Sequence, residues 1–251
     1  MKKIKLGFII NSLNNSGPSN VLLNIINEIS PKIYDVTIIT IFEGNDINLV
    51  EGLNKKKIKV IDKGYQSRLK YLLFGKKELE QDCLVMNFDI IHTHGFIPDC
   101  VCSKIKTSAK KISTIHCNLF EDYTDTYGKI RGIIYAWMEI ISLRKFDRII
   151  CCSESVKKAL QKYITKAEFI LNGVNLKDTK IDKIKERKKL HIPQNSTVFI
   201  YVGSITKRKN VAMLIEKFTK YHLKNEYLLI LGEGELYDKC KENSDANVIF
   251  L

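Results

Sequence analysis

The sequence predicts an α/β protein: one complete, doubly wound parallel-sheet domain followed by the first part of a second. Three observations carry this expectation. Short β-branched runs alternate with helical patterns almost from end to end. The runs are continuous and apolar instead of alternating, which is how strands read when helices cover both faces of a sheet. Beyond residue 174 the texture turns Lys- and Asp-rich, and after Pro193 the strand–helix rhythm begins afresh. A chain of 251 residues exceeds a typical single domain and falls short of two full domains of this Rossmann-like kind.

Residues 4–11 read as the first strand. Lys2 and Lys3 ahead of it imitate a signal peptide, but the apolar run is too short and no small-residue cleavage site follows. A turn through Asn14, Ser16 and Gly17 leads to a helix at 19–29. There Val21, Leu22, Ile25, Ile26 and Ile29 make one apolar stripe, and Ser19 is the expected N-cap. Further strands are expected at 35–42, 58–62, 89–94, 111–116, 147–152 and 168–171, with helices at 47–55, 66–85, 130–143 and 154–163. This assigns residues 1–174 to the first domain and 175–195 to a linker with one short charged helix at 181–190. Residues 196–251 hold strands at 197–202, 227–231 and 248–251 and helices at 211–221 and 236–242. So few parallel strands cannot cover both faces of a doubly wound sheet, so the second domain is expected to be incomplete unless it packs on a partner.

An apolar fraction of 45% with 27% charged residues is that of a globular protein able to bury a core. The net charge of +13 should attract anions: nucleic acid, anionic lipid or phosphorylated metabolites. Lysine supplies most of it, beside abundant Ile and Asn, so a biased genome composition explains the charge equally well. Nucleic acid is disfavoured because the aromatics sit in apolar runs and do not interleave with a basic stripe. An anionic membrane surface is a candidate partner through Tyr71–Lys77 and Lys104–Lys111, with a solvated lysine surface as the plainer reading. No apolar stretch is long enough to span a bilayer. The seven cysteines include Cys100/Cys102 and Cys151/Cys152, too close for metal-binding spacing, and read as small core residues in a reducing, cytoplasmic setting.

Four constellations carry chemistry. The turn at Ser16-Gly17 enters a helix, where backbone N–H groups can meet an anion or a sugar, although an ordinary strand–helix turn explains it as well. It has neither the dinucleotide nor the P-loop glycine pattern, so Glu43 is a weak ribose ligand. Polar groups gather at strand ends: His92-Thr93-His94, Ser113-Thr114-Ile115-His116, Ser153, and Asn172-Gly173. In a doubly wound sheet such ends converge on one crevice, which favours a site over scattered structural histidines. His116 is the sharpest candidate, with Asn118 and an acidic loop (Glu121, Asp122, Asp125) following. Cys117 has no base placed beside it, and no spacing suits zinc. Then Gly203-Ser204 leads into Lys207-Arg208-Lys209 just before a helix, where a bland turn would carry acids. Cations beside free helix N-terminal N–H groups are what a diphosphate needs. Gly232-Glu233-Gly234 ends another strand and is weak alone.

The order Ser16-Gly17, Thr114-x-His116, Ser153-x-Ser155, Leu171-Asn172-Gly173-Val174, Val202-Gly203 to Lys209-Asn210, and Gly232-x-Gly234 resembles the family-4 type of GT-B glycosyltransferases over nearly the whole chain. The resemblance implies transfer of a sugar, with anomeric retention, from a nucleotide-diphosphate sugar to a glycan or lipid-linked acceptor in surface polysaccharide synthesis, with no cofactor or metal. It implies that His116 is catalytic and that Ser16, Gly17, Asn172 and Gly173 lie on the sugar and acceptor side. It further implies that Gly203, Ser204, Arg208 and Lys209 bind the diphosphate, and that Gly232, Glu233 and Gly234 lie beside the nucleotide. There are departures. Ser204 stands where members often carry Arg, Ser16 replaces one glycine of a usual pair, and Asn175 replaces a usual Asp. The family's two acids seven residues apart, which grip the donor, are absent from these residues. The chain is therefore expected to be inactive alone; the alternative is a non-catalytic remnant or split-gene subunit whose partner carries the missing half.

Overall fold

The computed structural model describes residues 2–174 and 181–251. It divides into two compact units, Met1–Asn175 and Leu176–Leu251. Of the expected linker, residues 175–180, Asn175 among them, lie outside the described residues.

The first unit begins β1 (Ile4–Ile10), α1 (Gly17–Glu28), β2 (Tyr34–Phe42), α2 (Ile47–Lys55), β3 (Lys59–Tyr65) and α3 (Arg68–Met86). It continues β4 (Ile90–His94), α4 (Phe96–Cys102), β5 (Lys110–Ile115), α5 (Leu119–Tyr127), α6 (Lys129–Leu143), β6 (Arg148–Cys151), α7 (Glu154–Gln161) and β7 (Ala167–Phe169). The seven strands pair in parallel in the order β3-β2-β1-β4-β5-β6-β7. Carboxylates set strand starts: Asp89 accepts the amide of Lys5 at 2.8 Å, and Asp147 accepts that of Lys111 at 2.8 Å. Apolar side chains bury on both faces, as the continuous runs require. Leu22 and Ile26 of α1 and Leu53 of α2 pack on Phe8, Ile10 and Ile38, while α3 to α7 cover the opposite face around Ile9, Ile91 and Ile149. The strand order reverses between β1 and β4, so their carboxyl ends open the crevice where such folds place ligands.

Several expectations need correction. α1 begins at Gly17, with Ser16 at the N-cap position and a proline in the first turn. Pro18 presets the helical backbone there. Ser19 is no cap: it is fully buried, and its hydroxyl donates to the Ser12 carbonyl at 3.1 Å. The acidic stretch after Asn118 is helix α5, not a loop; its Asp, Thr and Tyr content hid the helical period. α4 was not expected because Pro98 reads as a breaker, yet it sits in the first turn, where its missing N–H costs nothing. Tyr71 does not face solvent; it lies in the core, edge-on to Phe42 and Tyr65. Five of the cysteines are buried and Cys117 and Cys152 half-buried, all unpaired.

In the second unit, α8 (Lys183–Lys189) precedes β8 (Thr197–Val202), α9 (Val211–Tyr221), β9 (Glu226–Leu231), α10 (Tyr237–Glu242) and β10 (Val248–Phe250). The sheet is parallel, ordered β10-β9-β8. Val211, Ile215 and Cys240 pack on Leu228, Ile230 and Val248. Ile200, Val202 and Leu231 are exposed, so among the described residues this sheet is covered on one side only. No described helix is long and apolar enough to cross a membrane.

Candidate functional site

Three imidazoles occupy the carboxyl ends of β4 and β5. His92 and His94 point to one face of the sheet because side chains alternate along a strand. Their ring centroids lie 4.5 Å apart, and His94 stacks on His116 at 5.3 Å. Phe8 of β1 closes the other side of both rings. Nε2 of His92 lies 2.7 Å from Oγ1 of Thr114, and Nδ1 of His94 lies 3.1 Å from Nε2 of His116. Burial pushes His116 down to about 4. Burial, followed by the nearness of His116, lowers His92 to about 4 as well. His94 falls well below its ordinary value through burial and its two neighbours. All three are therefore neutral at neutral pH, and one proton lies between His94 and His116.

Two buried atoms at this reversal point have no hydrogen-bond partner in the protein: Nε2 of His94 and Oδ1 of Asn11. A buried N–H without a partner is rarer than an unpaired acceptor. That places the His94 proton on Nδ1, donated to Nε2 of His116, and leaves the His116 proton on Nδ1. The neutral imidazole of His116 then offers a hydrogen-bond donor of fixed position.

Thr93 points to the opposite face, and its hydroxyl donates to Asp99 of α4. The Ser113 hydroxyl donates to the other Asp99 oxygen at 2.9 Å, so one carboxyl ties the ends of β4 and β5 together. Asp99 also bonds Glu139 of α6, which accepts from the Tyr123 hydroxyl. Both acids are fully buried, and burial raises both above the carboxylate range. Sequence reasoning missed this pair. Its one signal was an acid inside an otherwise apolar helical run, at Glu139.

The remaining first-unit candidates divide. Ser16 and Gly17 lie at the start of α1, where the Ser16 hydroxyl donates to Ser19 at 3.1 Å. A Cβ on Gly17 would meet nothing within 4 Å, so packing does not demand glycine there. Asn172 and Gly173 instead line a cleft of about 570 Å³ on the α1 side, with Val21, Ile25, His92 and Thr114. Asn24 donates to the Gly173 carbonyl at 3.0 Å. Neither His116 nor Gly17 lines this cleft.

In the second unit, two strand-end turns interlock. The Gly203 amide donates to the Leu231 carbonyl at 3.0 Å and the Ile205 amide to the Glu233 carbonyl at 2.8 Å. A Cβ on Gly232 would lie 1.9 Å from the Gly203 carbonyl oxygen, and one on Gly234 would lie 2.4 Å from that of Ile205. These glycines are thus required by packing, whatever else they do. Lys207–Lys209 form a 3₁₀ turn ahead of α9, and Asn210 adopts a left-handed conformation between them. The expected free amides are partly used: that of Lys207 donates to Glu235 at 3.3 Å, and those of Lys209 and Asn210 to turn carbonyls. The side chains of Lys207, Arg208 and Lys209 are exposed, with Ser204 nearby in sequence and also exposed. Among the described residues, no group of three or more His, Cys, Asp or Glu is placed to hold a metal ion.

An α/β protein with polar groups at the strand ends of a doubly wound sheet, followed by a second parallel-sheet unit, has the architecture of the GT-B transferases. The profile of Glycosyltransferase Family 4 matches residues 15–178, and the chain belongs to that family. It is similar to the O-antigen biosynthesis glycosyltransferase WclY of Escherichia coli, at 27% identity over 240 residues, covering 92% of this chain and 62% of that protein. The chain thus spans less than two thirds of that relative. A UDP-Gal:alpha-D-GlcNAc-diphosphoundecaprenol alpha-1,3-galactosyltransferase of E. coli is 30% identical over 177 residues, 64% of this chain and 44% of its own length. Among solved structures, Anabaena Alr3699/HepE in complex with UDP-glucose superposes with a TM-score of 0.77 at 16% identity, covering 99% of this chain and 68% of that one.

Proposed function

We propose that this chain serves a retaining glycosyltransferase that moves a sugar from a nucleotide-diphosphate donor to a lipid-linked or glycan acceptor during surface polysaccharide synthesis, on the cytoplasmic side of a membrane. The observation that carries the reading is His116, held by His94 at the reversal point of the first sheet. Its neutral imidazole suits a hydrogen bond to the transferred sugar and is ill suited to proton donation. The developing negative charge of the departing diphosphate falls to Lys209 and Arg208, with Gly203 and Ser204 at the same turn. Gly232, Glu233 and Gly234 form the adjoining turn on the nucleotide side, and Ser16 and Gly17 the sugar side. Two relatives support the class of substrates, one by its name and one by its bound UDP-glucose.

Because the chain matches 62% of WclY, the reading includes inactivity of these 251 residues alone. The enzyme is assembled for measurement by joining the chain to the part of such a relative that it does not match. The test is calorimetric titration of UDP into the assembled enzyme and its variants. Loss of a charged hydrogen bond to phosphate costs about 1.5–3 kcal/mol, so Lys209→Ala should weaken UDP roughly ten- to a hundredfold. His116→Ala should bind UDP normally and lose turnover. Unchanged UDP affinity in Lys209→Ala refutes the diphosphate assignment.

A further inference from the structure

Helix α6 carries two adjoining apolar faces, and only one of them is buried. At about 100° per residue, Gly132, Ala136, Glu139, Ile140 and Leu143 share the inner side, and all are buried. Ile130, Ile133, Ile134, Trp137 and Ile141 fall within an arc of about 100° on the outer side. Their exposures are 76%, 38%, 51%, 41% and 55%. An isolated exposed apolar residue needs no explanation, but a contiguous stripe over three turns does.

The helix cannot roll to hide this stripe. A Cβ on Gly132 would sit 2.4 Å from the Thr124 backbone nitrogen, so α6 lies against α5 at a spacing only glycine permits. Glu139 is held on the inner side by Tyr123. The outer side is therefore a fixed feature of the fold. Trp137 is braced edge-on by Phe120 and Tyr163, which extends the apolar surface towards α7.

Charge identifies the occupant. Lys129 and Arg131 are exposed at one end of α6, and Arg144 and Lys145 at the other, while the one acid of the helix is buried. The carboxylates nearest in sequence are Glu121, Asp122 and Asp125, which belong to α5, and Asp147, which is paired with Lys110 at 2.9 Å and accepts the Lys111 amide. A second copy pairing stripe to stripe, in either direction, would set cations against cations. An anionic lipid surface meets both requirements, since apolar side chains enter the acyl boundary and cations stay at the headgroups. A tryptophan at the junction suits the interfacial layer. We infer that the outer side of α6 is a membrane-seating surface that lies in the plane of an anionic bilayer, with Ile130, Ile134, Trp137 and Ile141 inserted.

The seat differs from Tyr71–Lys77 and Lys104–Lys111, where the sequence alone pointed. It is also independent of the transfer reaction, so its failure leaves the proposed function standing. Trp137 is the single tryptophan of the chain, so its fluorescence reports this surface directly. The 251-residue chain is titrated with vesicles of equimolar phosphatidylglycerol and phosphatidylcholine, with and without brominated acyl chains. Emission should shift to the blue, and bromine should quench it; affinity for pure phosphatidylcholine should be at least about tenfold lower. Ile134→Glu should abolish shift and quenching, and Leu73→Glu in α3 should leave both within about twofold. Thermal melting verifies folding, and Ile141→Glu decides if Ile134→Glu proves unstable. No shift, a shift without quenching, equal binding to both lipids, or an Ile134→Glu or Ile141→Glu protein that folds and binds as before would overturn the inference.

Discussion

Gly232 and Gly17 look alike in the sequence, each in a turn after a strand, and the structure predicts very different outcomes when each becomes alanine. At Gly232 the backbone φ is +153°, and a Cβ would lie 1.9 Å from the Gly203 carbonyl oxygen. Ordinary contact requires that oxygen to retreat by more than an ångström, which breaks the bond from the Gly203 amide to Leu231. Overpacking costs about 1–3 kcal/mol, an unfavourable φ about 1–3, and the lost hydrogen bond about 1. The sum, about 3–7 kcal/mol, rivals the whole stability of a small domain, about 5–15 kcal/mol. The second unit, whose core is a small cluster around Ile205, Ile215 and Ile230, should unfold or open on its own. Gly17→Ala meets nothing within 4 Å beyond its chain neighbours, so its one cost is a helical backbone ahead of Pro18, and it should leave the second unit untouched and lower protection in the first only slightly. Hydrogen exchange read by mass spectrometry resolves the two units peptide by peptide. Native-like protection of the second unit in Gly232→Ala, or a marked loss in Gly17→Ala, would refute the reasoning.

The His94 to His116 bond predicts one tautomer. Imidazole nitrogen shifts in NMR spectra should show His116 neutral and protonated at Nδ1 from neutral pH down towards about 4. His94→Asn, which keeps a donor near the Nδ1 position, should preserve that tautomer, and His94→Leu should leave a mixture; a mixture in the unaltered protein counts against the argument. The buried acids predict a pH slope. Burial raises Asp99 and Glu139, so the stability tied to their protonated forms is complete below the ordinary carboxylate range and is lost as pH rises through their raised values. Urea midpoints should therefore fall as pH climbs from the carboxylate range past neutrality, and Glu139→Gln should flatten the decline; an equally steep decline in that variant would exclude the pair as its cause.

What the sequence disclosed depended on how each feature was encoded. Strand-covered-by-helix patterning is written in long apolar runs, so β1, β2 and β4 to β6 were legible to within a residue or so. The same patterning located α9 and β8. Helices α4 and α5 were hidden because their identity is fixed by tertiary burial, with Pro98 and a string of polar residues arguing locally the other way. The strand-end rule brought His92, His94 and His116 together, but it could not show that His94 bonds His116 while Thr93 reaches through to Asp99. Alternation along one strand sends those neighbours to opposite faces with opposite tasks. Nor could a glycine's reason be read from its letter. Gly232 and Gly234 are demanded by backbone approach and Gly17 is not, a distinction that exists only in space. The basic triplet stood out for its charge and its place before a helix, but two of its amides are engaged, that of Lys207 by Glu235 and that of Lys209 by the Thr206 carbonyl.

Under the proposed function, sugar transfer uses His116 in the first unit and Lys209 in the second. The measurement supplies radiolabelled nucleotide-diphosphate sugars and a diphosphate-linked lipid acceptor to the chain, first alone and then joined with the part of such relatives that it does not match. The expected result is no product from the 251 residues alone, and product from the assembled enzyme that falls at least about tenfold in both His116→Ala and Lys209→Ala. Robust transfer by the chain alone, or full turnover by the assembled His116→Ala and Lys209→Ala variants, would contradict it.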